Sequence, residues 1–416
     1  MATLVALPHE LSLHIFSLLE CNNKVHLSAT CRSFRTQLIP EIFSTIRFTS
    51  DEASAASALA AVETYGQYTK KIEFTCQCNH EESPPPPGPS LPPAACKLLK
   101  GLLTPNLHTV KLGFQFGLDD EDLDPFDIYD DLEDAGRVRL SERQDRWRAQ
   151  MNGAWEALVG NALVRELILD ELPAKWTSTY DTDAFRRFLN QLESATIHIF
   201  GIPYEEWRSN ITSGYEDFVN KLGAAFFSHM DGLKHLHLWA TDPLGLAGER
   251  MPYTKLPLRP EDLPALQSLT LENSFVSPEL IPFIKFHAQV LKSLRLNESF
   301  CGDYLSWTDF FDQVYEGKPS LTEVIYRGDK APFMIDEEDE VWWADESDLL
   351  HFRQRLEADP TLNVFRRGHL DPDTGVLFFN LREELKRFNQ GDDQRAYVRL
   401  MGLVNGNRAE AKVNFR

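Results

Sequence analysis

The feature that most constrains this chain is a recurring pattern, Leu-x-x-Leu-x-Leu or a conservative version of it. It stands at Leu107-x-x-Val110-x-Leu112, Val164-x-x-Leu167-x-Leu169, Leu233-x-x-Leu236-x-Leu238, Leu266-x-x-Leu269-x-Leu271, Leu291-x-x-Leu294-x-Leu296 and Leu321-x-x-Val324-x-Tyr326. Weaker forms lie at Ile72-Glu73-Phe74 and Ile197-His198-Ile199. Successive side chains of a strand point to opposite faces, so each triplet sends its apolar residues to one side. From Leu167 onward the matching positions are 167, 197, 236, 269, 294 and 324, with steps of 30, 39, 33, 25 and 30 residues, the range of a repeat array. Between them, Trp147, Met151, Trp155, Leu158 and Val159 share a helical face. So do Phe185, Phe188, Leu189 and Leu192, and so do Tyr215, Phe218, Val219, Leu222 and Phe226. Helix then strand, repeated, predicts a parallel sheet with helices on its outer side. An ordinary α/β domain with leucine-rich strands gives the same local signals. The uneven steps favour an irregular solenoid over residues 49–345, followed by a C-terminal cap or extension over 346–416.

In stacked strands the residues between the leucines face outward. That places Lys111, Ile168, His198, His237, Thr270, Arg295 and Ile325 along a concave face, a mixed surface without a catalytic grouping. Such faces bind proteins, and this row is the candidate client-binding surface.

Residues 1–48 read as a small helical module. Leu7-Pro8-His9-Glu10-Leu11 opens a helix, with Pro8 suited to its first position and Glu10 in its first turn. Leu11, Ile15, Leu18 and Leu19 form one apolar stripe, and Leu13 and Phe16 lie on another face. Cys21 to Lys24 reads as a turn, Val25 and Leu27 belong to a second helical piece, and a third runs over residues 30–38. So short a unit cannot hide two stripes by itself, so one needs a neighbour.

The run Leu7-Pro8-x-Glu10-Leu11-x-x-x-Ile15-Phe16-x-x-Leu19, followed by Leu27-Ser28-x-Thr30-Cys31-Arg32-x-Phe34-Arg35, resembles an F-box. Phe34 stands where many members carry tryptophan, and Glu20 to Lys24 is plain and polar. The resemblance covers about a tenth of the chain. It implies a helical trio that docks on a Skp-family linker protein and, through it, a cullin of a RING ubiquitin ligase. The docking residues it implies are Leu7, Pro8, Leu11, Ile15, Phe16, Leu19, Leu27 and Phe34. The repeats likewise resemble the divergent leucine-rich-repeat-like region of F-box proteins, especially the fungal kind. The expected function is therefore a substrate-recognition adaptor of an SCF-type ligase, not an enzyme. The alternatives are a scaffold that pairs with a Skp-family protein outside ubiquitin transfer, and an enzyme with an unrecognised site in the repeats.

Charge narrows the partners. The chain holds 63 acidic and 42 basic residues, a net charge of −21. Such a surface repels phosphate backbones and anionic lipid, so nucleic acid and membrane are not expected partners and a basic client fits better. No stretch approaches the ~18–20 apolar residues of a membrane span. The six cysteines in a chain of 416 residues do not suggest a disulfide framework, and the cytoplasm or nucleus is the expected location.

No metal or cofactor is expected. His9 and His14 are five residues apart, off the shared helical face that a zinc-protease helix needs. Cys76-x-Cys78-x-His80 has ligand types but lacks a second half. Gly117 to Asp134 carries ten carboxylates without the spacing of a calcium loop, and reads as an acidic loop. The segment 83–93, rich in proline, reads as a stiff insertion. Trp342 and Trp343 stand in a second acidic cluster, and Asp371-Pro372-Asp373-Thr374-Gly375 is a turn.

Overall fold

The computed structural model describes residues 8–78, 90–116, 128–129, 132–202, 208–245, 254–302, 304–328, 346–379 and 381–414. Leu7, His80, most of the acidic stretch 117–134, the prolines of 84–87 and the Trp342–Trp343 pair lie outside the described residues. The fold is mixed α/β, with a helical module followed by nine parallel strands whose order in the sheet is their order in the chain. The chain divides into two compact units, Met1–Gly117 with Leu140–Ile168, and Leu118–Arg139 with Leu169–Arg416.

The first unit opens with α1 (His9–Ser17), α2 (Cys21–Thr30) and α3 (Arg32–Ile42). Pro8 is the N-cap of α1, one place earlier than the sequence suggests. The turn expected over Cys21–Lys24 is instead the first turn of α2, and the break between the helices falls at residues 18–20. Polar residues there signal exposure rather than a break, and Lys24 pairs with Glu41 of α3 at 2.7 Å. The Sγ of Cys31 caps α3 by accepting the Phe34 N–H at 3.5 Å.

Then come β1 (Thr45–Thr49), α4 (Glu52–Tyr65), β2 (Lys71–Cys78), α5 (Pro93–Leu99), β3 (Thr109–Phe116), α6 (Ala135–Gln144), α7 (Arg146–Leu158) and β4 (Glu166–Pro173). The unit boundaries cut through α6 and β4. Ile46, Ile72 and Val110 are level across β1–β3, as are Phe48, Phe74 and Leu112, and all six are buried. Met151, Trp155 and Leu158 of α7 are fully buried in the same unit.

The second unit continues with α8 (Asp183–Asn190), β5 (Ser194–Phe200), α9 (Ser213–Ala225), β6 (His235–Leu244), β7 (Ser268–Phe275), α10 (Leu280–Phe286), β8 (Ser293–Phe300), α11 (Trp307–Glu316) and β9 (Glu323–Arg327). Leu236, Leu269, Leu294 and Val324 form one buried row, and Leu238, Leu271, Leu296 and Tyr326 the next. Ile197 pairs with Leu238, so the residue level with Leu236 is Ala195 rather than Ile197. The pattern search missed this because alanine replaces the first large residue of that strand. Phe185, Phe188 and Leu189 of α8, Tyr215, Phe218, Val219 and Leu222 of α9, and Trp307, Phe310 and Phe311 of α11 supply the helical side of the core.

The C-terminal part holds α12 (Glu346–Ala358), the hairpin β10 (Gly368–Leu370) and β11 (Leu377–Phe379), α13 (Leu381–Gln390) and α14 (Asp392–Asn414). The expected turn is present: Asp371 accepts the N–H groups of Asp373 and Thr374 at 2.9 and 2.8 Å, and Gly375 takes φ +71°. A β-carbon at that glycine would run into Asn210. The chain end is packed against α11 and β9 through α14, where Asn407 Nδ2 donates to the carbonyls of Pro319 and Leu321 at 2.9 and 2.8 Å.

Candidate protein-docking surfaces

The helical trio holds itself together through Phe16, Phe34 and Leu38, which are buried, with Ile15, Leu19, Leu27, Cys31 and Ile42 packed against them. The Phe16 and Phe34 rings meet edge to face, 5.7 Å between centroids. Ser12 and Phe16, four residues apart, mark the inward line of α1. Other apolar residues of the trio stand in solvent: Leu11 is 52% exposed, Leu18 75% and, on α2, Val25 45%. Leu18, the C-cap residue of α1, keeps a helical backbone and is seven residues from Leu11, so the two lie one above the other on the same side of the helix.

The sequence-predicted docking residues thus fall into three groups. Leu7 lies outside the described residues, whereas Pro8 and Leu11 are exposed. Ile15, Leu19 and Leu27 are partly buried, and Phe16 and Phe34 are inside the trio, where they can support a docking face only by holding its helices. Leu13, Leu18 and Val25 were not in the predicted set, although the i, i+7 spacing of Leu11 and Leu18 was a signal for one of them.

The outward row of the strands has its own geometry. In the first unit Lys111 is level with Glu73 and partly buried. Ile168, also partly buried, ends that unit on β4. In the second unit His237, Thr270, Arg295 and Ile325 share one register row, as the pattern implies. His198 is not in that row: it faces Trp239, and Thr196 is the residue level with His237. Arg295 is held by Glu323, with Nε and Nη2 at 3.0 and 2.9 Å from Oε2. His237 Nε2 lies 3.2 Å from Glu272 Oε2.

His198 is nearly buried. Its ring stacks on Trp239 at 3.3 Å and 8°. Its Nδ1 accepts the Glu171 N–H at 3.2 Å, which leaves Nε2 as the protonated nitrogen facing Thr241 Oγ1 at 3.2 Å. Burial pushes its pKa down to about 4, and the nearby Asp170 carboxylate opposes that only in part. A neutral, stacked imidazole of this kind supports its neighbours and does not carry charge to a partner. Trp239 was missed as a surface residue, although the alternation of His235-Leu-His237-Leu-Trp239 places it on the outward side.

Among the described residues no cluster of three metal-ligating side chains occurs, and no helix is long and apolar enough to cross a membrane.

The described residues thus present two surfaces, the exposed Leu11 and Leu18 of the helical module and a mainly polar outward row on the strands. Residues 4–47 match the F-box-like family. Domains of that kind typically bind Skp-family proteins. No curated protein matches the chain.

Proposed function

We propose that this protein is a substrate-recognition adaptor of an SCF-type cullin–RING ubiquitin ligase. The helical trio docks a Skp-family linker, and the linker brings the cullin. The leucine-rich strands and their helices act as an irregular repeat scaffold whose outward face holds a protein client. The chain performs no chemistry of its own. It works in the cytoplasm or nucleus by raising the local concentration of a client beside the ubiquitin-charged enzyme and fixing its orientation.

The observation that carries this reading is the exposure of Leu11, Leu18 and Val25 on a module that matches the F-box-like family. Covering a leucine fully contributes about 1.5–3 kcal/mol, so a partner that buries these residues gains from each. The test is capture of a purified Skp-family protein by the full chain. Pro8→Ala with Leu11→Asp alters two of the exposed residues of α1 and leaves the Phe16–Phe34 core in place. Capture is expected to fall at least tenfold, and equal capture by the two forms would refute specific docking.

A further inference from the structure

One level beyond the His237 row, the second unit carries a different set of side chains. His198 of β5, Trp239 of β6, Glu272 of β7, Asn297 of β8 and Arg327 of β9 stand in register across five strands. Asp170 of β4 extends the set, its Oδ1 3.9 Å from His198 Nδ1. The Asp170 carboxylate is 41% exposed and that of Glu272 36%. The indole between them is partly exposed. His198 occupies one face of the Trp239 ring, and the strand on the other side contributes Glu272. The register therefore puts Glu272 on the strand next to Trp239, on the side away from His198, and an aromatic ring with a neighbouring carboxylate attracts a cation by its quadrupole and by charge together.

Among the described residues, the cations on this face do not fill that place. Arg295 is spent on Glu323, one register row away. Arg327 is three strands from Trp239, about 14 Å at the usual strand spacing. The histidine at 237 reaches the same Glu272 carboxylate from the neighbouring row, its Nε2 3.2 Å from Oε2. A net charge of −21 adds a long-range attraction for a basic segment and repels an acidic one.

We infer that the Trp239–Glu272 pair, with Asp170 further along the row, is a recognition site for an arginine or lysine side chain in a basic segment of the client. This rests on the adaptor reading above and specifies what that adaptor would select. His198 acts as a positioning residue: its ring props the indole upright and remains neutral, so it does not repel the incoming cation.

The probe is a fluorescent peptide of alternating arginine and glycine, compared with the same peptide carrying neutral citrulline at each arginine. Binding to the full chain is followed by anisotropy. The arginine peptide is expected to bind at least tenfold more tightly than the citrulline peptide. Trp239→Leu and Glu272→Gln are each expected to weaken it by about tenfold, the change that an aromatic or carboxylate contact with a partly desolvated cation supports. Asp183→Asn on α8, whose carboxylate is 80% exposed, removes the same charge from a helix whose apolar residues belong to the core side, and should change binding less than twofold. Equal binding of the two peptides, or an Asp183→Asn effect as large as that of Glu272→Gln, would overturn the inference. Should Trp239→Leu fail to fold, Glu272→Gln and the citrulline peptide still decide. Capture of a Skp-family protein by the same preparations separates the two readings. Intact capture with no selective peptide binding defeats only this inference, and selective binding without capture defeats only the adaptor reading.

Discussion

Asn273 has a left-handed backbone, φ 49°, and its Nδ2 donates to the carbonyls of Ala240 and Thr241 at 2.9 Å each. Those carbonyls need a donor because β6 slips register against β7 between Trp239 and Leu244. Glu171 and Glu298 adopt the same unusual conformation, φ 54° and 41°. Asn273 and Glu298 occupy equivalent places, between the pairs Glu272–Asn297 and Ser274–Ser299. Asn273→Ala loses both hydrogen bonds and keeps a β-carbon where it is strained, so unfolding experiments should show a loss of about 2–3 kcal/mol. Asn273→Gly relieves the strain and should lose less, and the reverse order would rule out this account. Asp242 offers a pH test. It is buried, its Oδ2 accepts the Ser209 N–H at 2.9 Å, and desolvation outweighs the pull of Arg208, so its pKa rises from 3.8 to about 6. The folded state then binds the proton more tightly than the unfolded chain. The stabilisation is complete below about pH 4 and disappears as pH rises through about 6, on the order of 3 kcal/mol in all. Asp242→Asn should flatten that part of the stability–pH curve, which urea titrations at a series of pH values would measure.

At the scale of elements, the strands were the legible part. Leu236, Leu269 and Leu294 were paired correctly from spacing alone because alternation is local and each strand repeats it. The helical module was legible as a trio but not in its boundaries or its inward line. Two apolar stripes on α1 are equivalent in sequence, and only the position of α3 makes Phe16 the inward residue and Leu11 the outward one. That division predicts different outcomes for two substitutions. Phe34→Ala empties the centre of the trio and should cost about 3–5 kcal/mol, enough to melt so small a module and abolish Skp capture together. Leu11→Asp should weaken capture severalfold and leave the helices intact, as circular dichroism of the two full-length variants would report. Loss of helix in both would show that the exposed stripe is structural. At the other end, Leu400 and Val404 of α14 are fully buried. Leu400→Ala should destabilise the second unit by about 2–4 kcal/mol, seen as a lower thermal midpoint, because the helix that packs on α11 and β9 loses its anchor.

Over the whole molecule the dominant quantity is the charge of −21. Binding of the arginine peptide draws on it and should weaken steeply as ionic strength rises from about 0.05 to about 0.5 M, where the screening length falls to a few ångströms. Capture through the leucine stripe draws on apolar burial and should persist over the same range; parallel titrations would expose any error in assigning the two surfaces to different forces. The sequence by itself determined the charge, the F-box-like motif, the helix–strand alternation and which residues of each strand are apolar on one side. These follow from steric and dipolar rules that act over a few residues. Tertiary structure alone decided which residues meet: Phe16 with Phe34, Ala195 level with Leu236, His198 against Trp239 and Glu272 beside it. Register and ring stacking between segments are settled by the packing of many distant side chains at once, and no local pattern carries that sum.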